Sequence, residues 1–284
     1  MKKKIVISVA SGKGGTGKTT VAVNLALSLN DEKVQFLDCD VEEPNAHIFL
    51  KPKIVHAQSI GIPVPQVNEE KCTFCGRCAQ VCFYNAIAVV KKKVLIFPEL
   101  CHGCGGCSLL CPEKAIKEVN KPIGVLEEGK ADSIQLIQGK LNIGEMMAPP
   151  LIRAVKKSAN SNLITIIDVS PGTSCPVIEA VKDSDFCILV TEPTPFGLND
   201  LILAVEVLRK IKIPFGVVIN RADVGDKKVE EYCKKERIPI LMRIPMDREI
   251  AISYSNGIPI VEGKPGYKEK FKKLYKEIKT MVLK

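Results

Sequence analysis

The chain has 284 residues, of which 46% are hydrophobic and 26% charged, and its 41 Lys and Arg outnumber 32 Asp and Glu to give a formal charge of +9. This composition excludes wholesale disorder and indicates one large or two modest globular domains. No apolar run approaches the ~18 residues that a membrane-spanning helix needs. The chain has twelve cysteines, eight of them between Cys72 and Cys111. Because so apolar a chain does not need disulfides, the cysteines favour metal ligation.

The N-terminal lysines and the apolar residues 5–10 imitate a secretory signal. The apolar stretch is shorter than the ~7–15 residues of a signal's apolar region, and a glycine loop follows it directly. We therefore expect a buried strand here and a cytoplasmic protein. A reducing compartment would keep the thiols free to bind metal.

Short β-branched runs alternate with segments of helical period along most of the chain. The runs are 5–9, 34–37, 163–167, 186–190, 215–219 and 238–242, and the clearest helical segments are 19–29 and 198–210. Continuous apolar strands alternating with helices predict an α/β fold with a doubly wound, mostly parallel sheet.

The α/β pattern breaks between about 63 and 122, where cysteine, glycine and lysine become frequent. One spacing, C-x2-C-x2-C-x3-C, occurs twice, at Cys72, Cys75, Cys78 and Cys82 and again at Cys101, Cys104, Cys107 and Cys111. We predict a small α+β module at 64–121, inserted into one domain made of 1–63 and 122–284. A strand pair at 124–127 and 134–138 would lead back to the larger domain.

Residues 12–19 match the phosphate-loop pattern G-x4-G-K-[ST], after a predicted strand and before a predicted helix. Such a loop points backbone N–H groups at phosphates, and the helix dipole adds to the attraction. Lys18 would reach the β- and γ-phosphates and the Thr19 hydroxyl would hold Mg²⁺. The alternative explanation for the pattern is a chance glycine turn. The candidate nucleotide-binding residues are Gly12, Lys13, Gly14, Gly15, Thr16, Gly17, Lys18, Thr19 and Thr20.

Residues 13–19 read K-G-G-x-G-K-[ST], which resembles the deviant P-loop ATPases of the MinD, ParA, Mrp and nitrogenase iron protein group. The resemblance covers about 1–60 and 122–265. In that group the early lysine, here Lys13, reaches the partner's nucleotide, which implies an ATP-dependent homodimer. The alternative for Lys13 is a solvent-facing loop lysine.

Two strand-terminal carboxylates resemble the switches of the same group. Asp40, in Asp38-Cys39-Asp40, matches the catalytic residue of the first switch, with Asn45 as its loop partner. Asp168 opens a D-x-x-P-G-T sequence that matches the second switch, whose aspartate holds Mg²⁺ through water. Alone, a strand-terminal Asp is commonly a cap or turn residue.

The resemblance also implies an adenine site. Asn220, Pro245 and Asp247 occupy the places where the group holds adenine. For Asn220 the alternative is a simple turn residue at a strand end.

The second cysteine run, followed by Pro112, has the bacterial ferredoxin pattern, and the first differs in having Phe83 at that place. In this pattern the fourth cysteine of each run ligates the other cluster. Zinc fits poorly, because structural zinc takes four ligands in separated pairs. The module resembles a two-cluster ferredoxin, which implies low-potential one-electron transfer. One 4Fe–4S cluster would take Cys72, Cys75, Cys78 and Cys111, and the other Cys101, Cys104, Cys107 and Cys82.

The last segment, 268–284, holds seven lysines and two glutamates, with apolar residues at helical spacing. We expect this helix to dock on the domain, and membrane contact is the alternative. The positive charge is concentrated in this tail, so we expect no specific nucleic-acid partner. Lys91, Lys92 and Lys93 would form a hairpin tip that could steer an acidic redox partner. Cys175 is expected to be structural rather than a ligand.

Together the flanks and the module resemble MinD-superfamily ATPases with an inserted ferredoxin domain, some of which are associated with the orange protein complex of anaerobes. This resemblance implies slow, partner-stimulated, Mg²⁺-dependent ATP hydrolysis coupled to electron transfer with an unidentified redox protein. Two alternatives stay open. They are an iron–sulfur carrier like Mrp and a ParA- or MinD-like positioning ATPase with the ferredoxin as a redox sensor.

Overall fold

The structure is a computed structural model that describes residues 4–283. The start of the predicted signal-like segment, residues 1–3, and the last tail residue, Lys284, lie outside the described residues. The strands are β1 (Val6–Ala10), β2 (Val34–Cys39), β3 (Lys53–Val67), β4 (Ile87–Val90), β5 (Lys93–Ile96), β6 (Ile116–Ala131), β7 (Ile134–Leu141), β8 (Ile164–Val169), β9 (Phe186–Thr191), β10 (Phe215–Asn220) and β11 (Ile240–Ile244).

The helices vary from single turns to the long C-terminal helix. They are α1 (Lys18–Ser28), α2 (Ala46–Leu50), α3 (Arg77–Val81), α4 (Gly106–Leu109), α5 (Ala148–Lys157), α6 (Cys175–Val181), α7 (Pro195–Lys210), α8 (Lys228–Lys235), α9 (Arg248–Ser255), α10 (Ile260–Gly263) and α11 (Gly266–Val282). Among residues 4–283, none of these helices has both the length and the apolarity needed to cross a bilayer.

The main sheet has nine strands in the order β11-β10-β9-β1-β8-β2-β7-β6-β3. Every pair from β11 to β7 is parallel, whereas β6 and β3 are antiparallel at one edge. Apolar side chains of α1 and α11 cover one face of the sheet, and those of α5, α6 and α7 cover the other. The predicted doubly wound, mostly parallel α/β fold is therefore confirmed.

The last parallel strand begins two residues later than its apolar run predicts. The sequence favours 238–242, but β11 is Ile240–Ile244. Ile238 instead donates its N–H to the Cys233 carbonyl at the end of α8, 2.8 Å away. Pro239 then has no N–H for the sheet, so regular pairing starts after it.

The sequence predicts no strand at the position of β3, and β6 is much longer than the predicted strand 124–127. The pattern indicates a break near Pro63, yet β3 continues through Pro63 and Pro65 while paired with β6. β3 is the edge strand, and residues two apart direct their backbone N atoms to the same side. Both prolines therefore place their missing N–H on the unpaired edge, where proline is tolerated. Beyond Pro122, pairing of β6 with β7 begins at Gly124.

The outer halves of β3 and β6 form a two-stranded ribbon, residues 61–67 and 116–122, that extends from the main sheet. The chain between its ends forms α3, the β4–β5 hairpin and α4. α3 and α4 contact each other. Of the three lysines predicted at the hairpin tip, Lys91 and Lys92 form the turn and Lys93 is the first residue of β5.

The C-terminal helix α11 packs on the domain. Its Tyr267, Phe271, Leu274, Tyr275 and Ile278 are buried in the same apolar layer as α1. The predicted docking of this helix is therefore confirmed, and most of its lysines face outward.

Replacing Phe271 with Ala should lower the free energy of unfolding by about 3–5 kcal/mol, because the ring is fully buried. The matched change Lys273→Ala, on the exposed face of the same helix, should alter it by less than about 0.5 kcal/mol. Urea unfolding followed by circular dichroism measures both. Equal, small effects would contradict the docked arrangement.

Candidate functional site

The predicted phosphate loop joins the end of β1 to the start of α1. Gly15 and Gly17 have left-handed backbone angles (φ 78° and 90°), which favour glycine. A Cβ on Gly17 would come within 2.4 Å of the Asn220 side-chain nitrogen. Gly14 and Gly15 face open space, and the buried Thr16 hydroxyl has no hydrogen-bond partner among the described residues. An open glycine face beside an unsatisfied buried hydroxyl fits a bound phosphate chain.

Two further loop residues contact elements on the β9 side of the sheet. A Cβ on Gly12 would lie 2.3 Å from the Asp200 carbonyl oxygen of α7, so only glycine fits there. Lys13 Nζ lies 3.8 Å from Glu192 Oε2, just after β9. Arg221 Nη1 contacts the other oxygen of Glu192 at 2.8 Å. Glu192 is not among the site residues predicted from the sequence, although it directly follows a strong apolar strand.

Lys18 lies between the two predicted switch aspartates. Its Nζ donates to Asp40 Oδ2 at 3.0 Å and to Asp168 Oδ1 at 3.1 Å, and all three side chains are buried. The Thr19 hydroxyl donates to Asp168 Oδ2 at 2.6 Å. Thr20 follows in the first turn of α1, half-buried. The structure thus brings the candidate phosphate, Mg²⁺ and catalytic residues together from β1–α1, β2 and β8.

The electrostatics of this cluster follow from burial and ion pairing. Burial lowers the pKa of Lys18, but the carboxylates of Asp168 and Asp40 outweigh it and raise that pKa above its usual value. Burial, together with the nearby Asp168 charge, raises the pKa of Asp38 well above its usual range. Lys18 is therefore a permanent cation among carboxylates that are costly to keep ionised.

Asp38 is a functional candidate to which sequence analysis gave no role. Its carboxylate accepts hydrogen bonds from the Asp40 N–H at 3.1 Å and the Ala46 N–H at 3.2 Å. These bonds tie both ends of the switch loop that contains Asn45 to β2. The signal in the sequence was the Asp-x-Asp spacing at a strand end.

The three candidate adenine residues are not used alike. Asn220 Nδ2 donates to the Thr16 carbonyl at 2.9 Å and so supports the phosphate loop. Pro245 is exposed after β11. Asp247 caps α9 and pairs with Lys264, whose hydrogen bond lowers the Asp247 pKa. Adenine binding by these residues stays a prediction.

The eight module cysteines line two cavities on the ribbon. Each cavity takes three cysteines from one run and the fourth from the other. The first is lined by Cys72, Cys75, Cys78 and Cys111. The second is lined by Cys101, Cys104, Cys107 and Cys82. These sets are the two predicted ligand sets.

The backbone around the two cavities repeats as closely as the sequence does. The N–H groups of Phe74 and Gly103 donate to the sulfurs of Cys72 and Cys101, both at 3.4 Å. Those of Ala86 and Ala115 donate to Cys82 and Cys111 at 3.2 and 3.3 Å. Four thiols around each cavity, with amides bonded to sulfur, fit a 4Fe–4S cluster in each.

No group of three or more His, Cys, Asp or Glu in residues 4–283 is arranged around a single-ion position. The remaining cysteines lie in the larger part of the chain. Cys39, Cys187 and Cys233 are buried, whereas Cys175, for which the sequence favours a structural role, is exposed at the start of α6.

Residues 7–260 match the family model described as the CobQ/CobB/MinD/ParA nucleotide binding domain. The chain belongs to this family. Its members are P-loop nucleotide-binding proteins and generally ATPases. The family accounts for the phosphate loop and for the parallel sheet that carries it.

Curated relatives cover nearly the whole chain. An uncharacterised protein of Methanocaldococcus jannaschii is 34% identical over 261 residues, 90% of this chain and 91% of that protein. The iron-sulfur cluster carrier protein of Pyrococcus horikoshii is 28% identical, over 92% of this chain and 80% of that protein. Among solved structures, the septum site-determining protein MinD from P. horikoshii, complexed with Mg-ADP, has a TM-score of 0.61 at 22% identity, covering 98% and 97% of the two chains. That likeness supports the fold.

Paired cysteine substitutions should show which cysteines share a cluster. If the sets are interleaved, Cys75→Ser with Cys111→Ser damages one cluster and leaves about four iron atoms per chain. Cys104→Ser with Cys111→Ser damages both and leaves almost none. Iron analysis and EPR of anaerobically reconstituted protein measure the result, and the reverse pattern would assign each cluster to a single run.

Proposed function

We propose that this protein is an ATP-driven dimeric switch that couples its nucleotide state to low-potential electron transfer through two 4Fe–4S clusters. The ATPase domain comprises residues 1–63 and 122–284, and residues 64–121 form the inserted ferredoxin-like module. The converging nucleotide residues and the two cysteine-lined cavities support this assignment.

Each nucleotide-site residue has a role that its position supports. Lys18 would exchange its contacts with the carboxylates for the β- and γ-phosphates, and Thr19 with Asp168, the latter through water, would hold Mg²⁺. Asp40 orients the attacking water, while Lys13 leaves Glu192 to reach the partner's nucleotide. The rate of hydrolysis is slow until a protein partner stimulates it.

The cluster residues have a different task. The four cysteines of each cavity hold a cluster, and their bonded amides stabilise the anionic sulfurs. The clusters would supply one-electron transfer. Among the described residues, no side chain near the nucleotide site provides this chemistry. Because one cysteine of each run belongs to the other cavity, the two sites share their supporting backbone.

The observation that carries the coupling is the chain connection between the switch and the ribbon. The switch loop after Asp40 leads into α2, and only Lys51 and Pro52 separate α2 from β3. Asp38 anchors the first residue of α2, Ala46, by a hydrogen bond. A change of the switch loop on ATP binding would therefore displace the root of the strand that carries the cavities.

A second connection runs across the sheet. Asp168, Asp38, Gln138 and Glu127 are paired in register on β8, β2, β7 and β6. Gln138 donates to Glu127 at 2.6 Å, and Lys140 pairs with the same carboxylate at 2.9 Å. A change of charge at Asp168 would therefore act through this row of polar side chains on β6, the other strand of the ribbon.

We expect Mg–ATP to shift the midpoint potential of at least one cluster, measured by anaerobic EPR redox titration. Lys18→Ala should retain iron but abolish the shift, because phosphate binding is lost. Lys276→Ala, an exposed lysine of α11, is the matched control and should behave as the unmodified protein. Potentials and partner reduction rates that do not respond to ATP would refute the coupling.

A cluster carrier is the second candidate, because relatives at 27–28% identity have the name iron-sulfur cluster carrier protein. The four cysteines around each cavity favour resident clusters instead. We therefore expect no ATP-dependent transfer from the loaded protein to an apo-ferredoxin, followed by the acceptor's visible circular dichroism. Rapid transfer that requires Mg–ATP would establish the carrier function.

A further inference from the structure

The two cysteine-lined cavities lie at different positions along the ribbon. Pro63 and Pro65 line the second cavity, nearer the main sheet. Val67 and Ile116, at the outer end of the ribbon, line the first. At ~3.3 Å per residue, the outer position lies roughly 10 Å farther along the ribbon, away from the main sheet. The first cavity is therefore the distal one.

The surroundings of the two cavities differ in charge. The described residues that line the second cavity include no Lys or Arg, and Glu118 is their one carboxylate. The first cavity is lined by Arg77 and Glu113 and by Val89 and Val94 of the β4–β5 hairpin. The lysine-rich turn of the hairpin begins two residues beyond Val89, so it lies beside the distal cavity.

We name the exposed cations at this end the basic tip. The basic tip consists of Lys71, Arg77, Lys91, Lys92, Lys93 and Lys114. The acidic residues Glu69, Glu70 and Glu113 share this end, which leaves a positive excess. Within residues 4–283, none of the six cations is in an ion pair.

The hairpin itself does not require lysine at its turn. Lys91 has a left-handed backbone angle (φ 52°), a conformation that turns usually give to Gly or Asn. Lys92 and Lys93 are exposed beside it and would repel it. Three adjacent like charges at such a turn favour neither its conformation nor its packing. The charge is better explained by an external partner.

We propose that the basic tip is the docking surface for an acidic electron-transfer protein that exchanges electrons with the distal cluster. This inference rests on the proposed function, because it requires a cluster held by Cys72, Cys75, Cys78 and Cys111. One electron passes between the two redox centres, so one is oxidised and the other reduced, and no bond forms or breaks. The positive field of the tip attracts the acidic partner and raises the association rate.

The test uses one acceptor in two charge forms, native cytochrome c, which is basic, and succinylated cytochrome c, which is acidic. Stopped-flow spectroscopy follows the one-electron reduction of the haem iron by dithionite-reduced, cluster-loaded protein. The tip variant is Lys91→Gln/Lys92→Gln/Lys93→Gln. The control is Lys270→Gln/Lys273→Gln/Lys276→Gln on the exposed face of α11, which removes the same charge elsewhere.

At low ionic strength the tip variant should react with succinylated cytochrome c about tenfold more slowly, and with native cytochrome c faster. The control should change each rate constant by less than about twofold, and the difference should vanish near ~0.5 M salt. Equal effects of the two variants, or none, would overturn the proposal. The proposal would also be overturned if the tip variant kept its electron-transfer rates but was no longer retained on heparin or anionic vesicles. That result would assign the basic tip to another polyanion.

Failure of this inference can be told from failure of the proposed function. If the protein does not bind about eight iron atoms or shows no reducible clusters, the proposed function fails. If the clusters are present and reducible but the rates of cytochrome c reduction do not change in the tip variant, only the proposed docking surface is wrong.

Discussion

Lys18, buried between Asp40 and Asp168, is the interaction on which the nucleotide site depends. It joins β2 and β8 to the first residue of α1 and holds both switch segments against the phosphate loop. Asp38 lies directly behind this pair, so one lysine faces three buried carboxylates. Buried charge is stable only when compensated, so this excess of carboxylate would favour a divalent cation if Lys18 turned toward phosphate. Nucleotide and Mg²⁺ would therefore bind as a unit and release both switches together.

The second constraint is the edge of the sheet, where the cysteine-rich segment can be attached without disturbing the parallel strands. β7 is the last parallel strand, and β6 and β3 follow as an antiparallel pair that continues outward as the ribbon. Pro63 and Pro65 keep the outer edge of β3 from pairing further. The ribbon thus has one free edge, and β3, the strand that leads into it, begins two residues after α2 and the switch loop.

The sequence predicts the phosphate loop, six parallel strands and the two cysteine sets, because these features are local or repeat at fixed spacing. It does not predict the ribbon, since prolines read locally as strand breakers unless the strand is known to lie at an edge. Glu192 and Gln138 were missed for another reason. Glu192 has its partner Lys13 far away in the chain, and Gln138 lies in register with the equally distant Asp38, so only the folded sheet brings each pair together.

The interleaved cysteines have a consequence for stability as well as for redox chemistry. Between the ribbon strands, residues 68–115 have few buried side chains, chiefly Ala86, Ile87, Cys101 and Ala115. Such a small core supplies little free energy of folding, and the cavities occupy the place where further core side chains would lie. Binding free energy at the cysteines would then be folding free energy for this segment. Because each run contributes to both cavities, loss of one cluster would loosen the support of the other, and the ribbon would transmit that change along β3 toward α2 and the switch loop.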